Sequence, residues 1–128
     1  MNPNEDRILE HFGRPYRKFP GASVVRQATI GRAENDTCKD WIQYWIRADH
    51  VESSWRITKI WWDGAGCCFS QAAASMLAER LEAVRLEDAK AFTQDQMLEL
   101  FGIDVETGRL DCILVAFHSF KNALENLP

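Results

Sequence analysis

The chain has 128 residues and a mass of 14.7 kDa, with 46% hydrophobic and 27% charged residues, which suits one globular domain with a single core. A formal net charge of −4, a pI near 5.3 and the lack of a Lys/Arg stripe interleaved with aromatics argue against nucleic-acid binding. No apolar run approaches the roughly 20 residues that span a bilayer, and the polar, acidic stretch 1–7 resembles neither a signal nor a transit peptide, so a cytoplasmic protein is expected.

In chain order, Ile8, Leu9 and Phe12 give residues 6–12 helical spacing, and Gly13 supplies a stop. Pro15 and then Pro20-Gly21 break the chain before the next element. The short basic cluster Arg14, Arg17 and Lys18 reads as a solvated helix end or as a partner-docking patch. Three runs rich in β-branched and aromatic residues follow, at 24–30, 41–48 and 55–62. Asn35-Asp36 and the polar stretch 49–54 separate them at lengths that suit antiparallel connections.

After Gly64-Ala65-Gly66 the pattern turns helical. Residues 70–84 place Ala73, Met76, Leu77, Leu81 and Val84 on one face. Thr93 with Gln96 is a capping-box signal for a short helix ending near Phe101-Gly102. Residues 109–124 carry a second apolar stripe, from Leu110 and Ile113 to Phe120 and Leu124. With no internal repeat or Gly/Ser linker, residues 1–128 read as one α+β domain: a three-stranded antiparallel sheet with helices packed on one face.

Alternation along the strands turns Ile42, Tyr44, Ile46, Ile60 and Trp62 toward the helices and Trp41, Trp45 and Trp61 away from them. An uncovered face of that kind would be a large aromatic patch, so a second copy or a partner is expected to cover it. The alternative is local cover by the N-terminal segment or by long Lys/Arg stems. His11, His50 and His118 are scattered and read as surface or satisfied histidines.

Four cysteines in a reducing compartment leave metal, sulfur chemistry or plain burial as options, ahead of disulfides. Cys38 precedes Asp40 by two residues, and on an extended segment both side chains point the same way. Cys67 follows a Gly-rich turn at a helix start, where free N–H groups and the helix dipole favour a thiolate. Cys112 is expected in the first turn or so of the last helix, in a similar field. Three sulfurs and a carboxylate form a tetrahedral set suited to zinc or to an iron–sulfur cluster. Cys68 reads as a small buried hydrophobe.

The wording around these residues resembles the iron–sulfur scaffold family of the IscU/SufU/NifU N-terminal type. Residues 33–40, Ala-Glu-Asn-Asp-Thr-Cys-Lys-Asp, are similar to its Asn-Pro-x-Cys-Gly-Asp segment. Residues 66–76, Gly-Cys-Cys-Phe-Ser-Gln-Ala-Ala-Ala-Ser-Met, resemble its Gly-Cys-Ala-Ile-Ser-x-Ala-Ser-Ala-Ser-Met signature, and residues 109–117 its Arg-x-x-Cys helix. The resemblance implies that Cys38, Asp40, Cys67 and Cys112 hold a 2Fe-2S cluster or Zn2+. It further implies that a cysteine desulfurase supplies sulfur as a persulfide, that Cys112 accepts it, and that iron–sulfur acceptor proteins receive the product. Asp40 would be the ligand that keeps a cluster labile, because oxygen binds such units less firmly than thiolate does.

Two alternatives accompany this reading: a zinc-bound sulfur acceptor of the SufU type, and a domain in which zinc is purely structural. In none of them is the chain a conventional enzyme. Departures from the family pattern mark a divergent member. Lys39 stands where glycine is usual, Asp111 replaces a histidine, and residues 105–109 lack the chaperone-recruiting segment of the IscU branch.

Overall fold

A computed structural model describes residues 3–19, 27–36, 39–102 and 107–127. The elements are α1 (Pro3–Gly13), β1 (Thr29–Asn35), β2 (Asp40–Val51), β3 (Ser54–Ala65), α2 (Cys68–Leu81), α3 (Leu86–Lys90), α4 (Gln94–Phe101) and α5 (Thr107–Leu124). The strands form one antiparallel sheet in the order β1-β2-β3. Helices α2 and α5 pack against one face of it, α1 lies on α2, and α4 lies against α5 and α2. The expected α+β architecture is the observed one.

The first strand begins later than the 24–30 run suggests, at Thr29, and continues to Asn35; residues 24–26 lie outside the described residues. Pairing with β2 draws it on, since Glu34 faces Trp41 and Asn35 faces Asp40. The stretch 49–54 likewise contains more strand than its polarity suggests. Val51 pairs with Ser54, leaving a turn of Glu52 and Ser53 with Glu52 at φ 58°. A bulge between Arg47 and Ala48 shifts the register, so that Ile57 as well as Ile60 faces the core.

Alternation on β2 holds as read. Ile42, Tyr44 and Ile46 are fully buried, as are Ile60 and Trp62 on β3. The buried Tyr44 hydroxyl donates to the Ala74 carbonyl (2.6 Å), tying β2 to α2, and burial holds the phenol protonated by raising its pKa well above its usual value. Helix α2 is buried on nearly every side from Ala72 to Ala78, not on one face alone, because the sheet, α1 and α5 surround it. Its alanines and Ser75 allow that close approach. It ends at Leu81, short of Val84, where Ala83 adopts φ 68°.

Both sheet edges are occupied by the chain itself. Along β3, the Phe19 N–H donates to the Trp62 carbonyl (2.6 Å) and the Trp62 N–H to the Arg17 carbonyl (3.1 Å). Of the basic cluster, Arg14 sits at the end of α1, its N–H donating to the Glu10 carbonyl (2.8 Å), whereas Arg17 and Lys18 belong to a short strap paired with Trp62. Along β1, Ser119 donates to the Gly31 carbonyl (2.9 Å) and Asn122 to that of Arg32 (3.0 Å). Gly31 is required here, since a Cβ would collide with the backbone of Ser119 and Ala123.

On the outer face the three indoles are half-buried. Phe19 stacks on Trp45 with ring centroids 4.6 Å apart and meets Trp61 edge-on, while Arg17 lies over Trp61 and Arg32 over Trp41. Local cover, the alternative reading of this face, accounts for what is seen, and the aromatic patch does not by itself require a second copy.

Candidate metal and sulfur site

The site lies at one end of the sheet, where β2 begins, β3 ends and α2 starts. Cys67 is the N-cap of α2 in an extended conformation (φ −70°, ψ 168°). Its side chain makes no capping hydrogen bond, so the sulfur stays available beside the free N–H groups of the first turn. The Cys67 N–H donates to Asp40 Oδ1 (3.1 Å), and Cys67 Sγ lies 3.7 Å from Asp40 Oδ2. Asp40 is itself buried, at 1% exposure.

Gly66 makes this approach possible. It sits at φ +141°, and a Cβ there would fall onto the Asp40 carboxyl oxygen. The glycine-rich turn therefore does what its composition suggests: it lets another group come close.

Cys112 completes the cluster from α5. It is fully buried, and one ligand atom each from Asp40, Cys67 and Cys112 lie within 4.8 Å of one another. Its position corrects one expectation. Because α5 begins at Thr107, two residues ahead of the expected start, Cys112 falls in the second turn, beyond the reach of the N-terminal dipole. The described contact to its sulfur comes from Asn35, whose side-chain Nδ2 donates to Cys112 Sγ (3.7 Å).

Cys38 lies outside the described residues. Lys39, next to it, adopts φ 59°, the conformation a glycine would take, so lysine occupies the glycine geometry at this turn. Cys68, at the first turn of α2, is half-buried rather than sealed in the core. Asp111 is exposed beside the buried Cys112.

The donor chemistry fits a soft or borderline cation. A carboxylate at 1% exposure ordinarily carries a paired cation. Among the described residues Asp40 has none; its partners are the amide and thiol of Cys67. The thiols of Cys67 and Cys112, neither in a disulfide, stand beside it. The Arg109 guanidinium, from the first turn of α5, lies 5.4 Å from the centre of the Phe69 ring.

The histidines play no part. His11 is satisfied by Ser75, with its Nδ1 2.7 Å from the hydroxyl oxygen that also accepts the Tyr16 N–H. His50 and His118 are exposed against aromatic neighbours. Sequence reasoning missed Asn35 as a site residue. The signal was available: alternation on β1 turns Gly31, Ala33 and Asn35 toward the helices, so Asn35 is a polar residue at an inward position.

The sequence profile of the NifU-like N-terminal domain matches residues 4–128. The chain belongs to that family. No protein of curated function matches it in sequence. Among solved structures it is similar to a hypothetical protein at 21% identity and a TM-score of 0.74, covering 96% of this chain and 97% of that one. It is also similar to a proposed iron–sulfur cluster assembly scaffold protein for the SUF system of Fervidobacterium islandicum AW-1, at 15% identity and a TM-score of 0.64, covering 93% and 94%. A third is a nitrogen-fixing NifU-like protein (N-terminal) from Brucella abortus, at 16% identity and a TM-score of 0.68, covering 93% and 90%. At these identities the likeness establishes a shared fold. No helix among the described residues is long and apolar enough to cross a membrane.

Proposed function

We propose that this NifU-like domain is a scaffold on which an iron–sulfur cluster is assembled before transfer to acceptor proteins, with Cys38, Asp40, Cys67 and Cys112 as its ligands. The observation that carries this reading is the meeting of Asp40, Cys67 and Cys112 ligand atoms within 4.8 Å, from segments far apart in sequence. Asp40 is suited to a labile role. One of its oxygens already accepts the Cys67 N–H, leaving the other to bind a cluster edge as a single, hard donor.

Sulfur would come from a cysteine desulfurase as a persulfide. In the closed arrangement Cys67 is the half-buried thiol that a donor meets, whereas Cys112 is sealed at 0% exposure. Acceptance at Cys112 therefore requires the site to open first. In Cys112→Ser protein, persulfide should still form on Cys67, as read by mass spectrometry after brief exposure to desulfurase and cysteine.

A second reading, a zinc-bound sulfur acceptor, is favoured by the donor count. The three converging ligands plus one more thiol make a closed tetrahedral set. Anaerobic reconstitution with iron, desulfurase and cysteine separates the two. A visible cluster chromophore with labile sulfide supports the scaffold. Tightly held zinc with persulfide but no chromophore supports the acceptor, and zinc that survives desulfurase with no persulfide on any cysteine would overturn both. Asp40→Ala should make a reconstituted cluster longer-lived while the domain stays folded; unfolding would instead indicate a structural ion.

A further inference from the structure

We propose that Asn35 is a positioning residue for this site, its side-chain amide holding the Cys112 sulfur by an N–H···S hydrogen bond; the inference rests on the ligand reading above. Asn35 is one of few buried polar residues, at 8% exposure, and it closes β1 opposite Asp40. It thus stands between two of the converging ligands, in register with one and 3.7 Å from the sulfur of the other.

The chemistry of the sulfur calls for such a donor. Cys112 is fully buried in the second turn of α5, where its own helix offers no free N–H. A buried thiolate or persulfide needs donors to replace water. An amide supplies one without adding charge and fixes the direction of the sulfur lone pairs. Groups beside a metal site that orient its ligands change affinity by about 10–100-fold when removed. An N–H···S bond also draws electron density from the thiolate, so its loss shifts thiolate-to-metal charge transfer to lower energy.

The test uses Co2+ alone with the full chain, purified and handled without oxygen. Asn35→Leu keeps the branched shape and removes the donor. It should weaken Co2+ binding by about tenfold or more and move the sulfur-to-cobalt band to longer wavelength, with little change in thermal midpoint. A purely structural Asn35 would shift the midpoint and leave the band in place, which would overturn the inference. So would unchanged affinity and an unchanged band. Should Asn35→Leu fail to fold, Asn35→Ser, whose hydroxyl is too short to reach the sulfur, carries the same two readouts with the same expectations. Wild-type protein that binds Co2+ with no thiolate band would overturn the ligand reading and this inference together. Tight wild-type binding that both variants leave untouched would overturn this inference alone.

Discussion

The two ends of the β2–β3 pair are built from similar turns and put to opposite uses. At the hairpin end, Glu52 takes a left-handed conformation, Arg47 pairs with Asp49, and Thr58 donates to the same carboxylate. There the polar groups satisfy one another, and Thr58 and Arg47 hold the Asp49 carboxyl below its ordinary pKa. At the other end Lys39 is left-handed too, yet among the described residues the neighbouring carboxylate is buried without a cation, beside the thiols of Cys67 and Cys112. Local rules are met at one end and broken at the other, and the broken ones gather where chemistry is expected.

The sharpest way to break this contrast is Gly66→Ala. The added methyl meets the Asp40 carboxyl at a backbone angle side chains avoid, a combined cost of about 3 kcal/mol. Metal affinity should fall by about two orders of magnitude, measured by competition with a chromophoric chelator. Unchanged affinity would mean that Asp40 does not need its present position. Gly31→Ala is the control away from the site: it should lower the melting temperature by forcing α5 off β1.

Next in size are Lys39→Gly and Glu52→Gly. Each relieves a left-handed non-glycine residue and should add up to about 1 kcal/mol of stability in denaturant titrations. Only Lys39→Gly should also alter metal binding, because only its turn leads into the site. Equal effects on binding would erase the distinction between the ends.

The smallest effect concerns neither end but the seam between α1 and α2. Burial lowers the His11 pKa below its usual 6.5, against an opposing pull from Glu79; Arg7 lowers it further and Glu10 raises it. The unfolded chain therefore binds the proton more readily, and stability is lost as pH falls through the unfolded value. Between about pH 7.5 and pH 5.5 the melting temperature should drop slightly more for wild type than for His11→Asn. An identical pH profile would remove His11 from the account.

Much of this was legible in the residues. The capping box at Thr93 and Gln96 is present in full, and strand alternation assigned the buried face of β2 without error. Cys67 was readable at a helix start because glycine spacing and helical periodicity meet there. Other features depend on partners that no local pattern contains. The start of β1 is set by its pairing with β2, and the choice between local cover and a partner over the indoles by the pairing of residues 17–19 with Trp62. Helix α3, with five residues, is too short to show a period. Strand alternation marks Asn35 as an inward polar residue, but its partner Cys112, 77 residues away, is not readable from any local pattern.

The separation of the ligands has a consequence for the energetics of the whole molecule. Asp40 and Cys67 are 27 residues apart, and Cys112 comes from another helix. In the proposed scaffold, cargo bound among them would act as a clasp, joining segments that the unfolded chain would hold only at an entropic cost. Loading would then tighten the domain, and delivery would loosen it by the same amount. A recipient drawing the cluster away would work against that clasp, and the ease of delivery would be tied to how firmly the remaining fold stands without it.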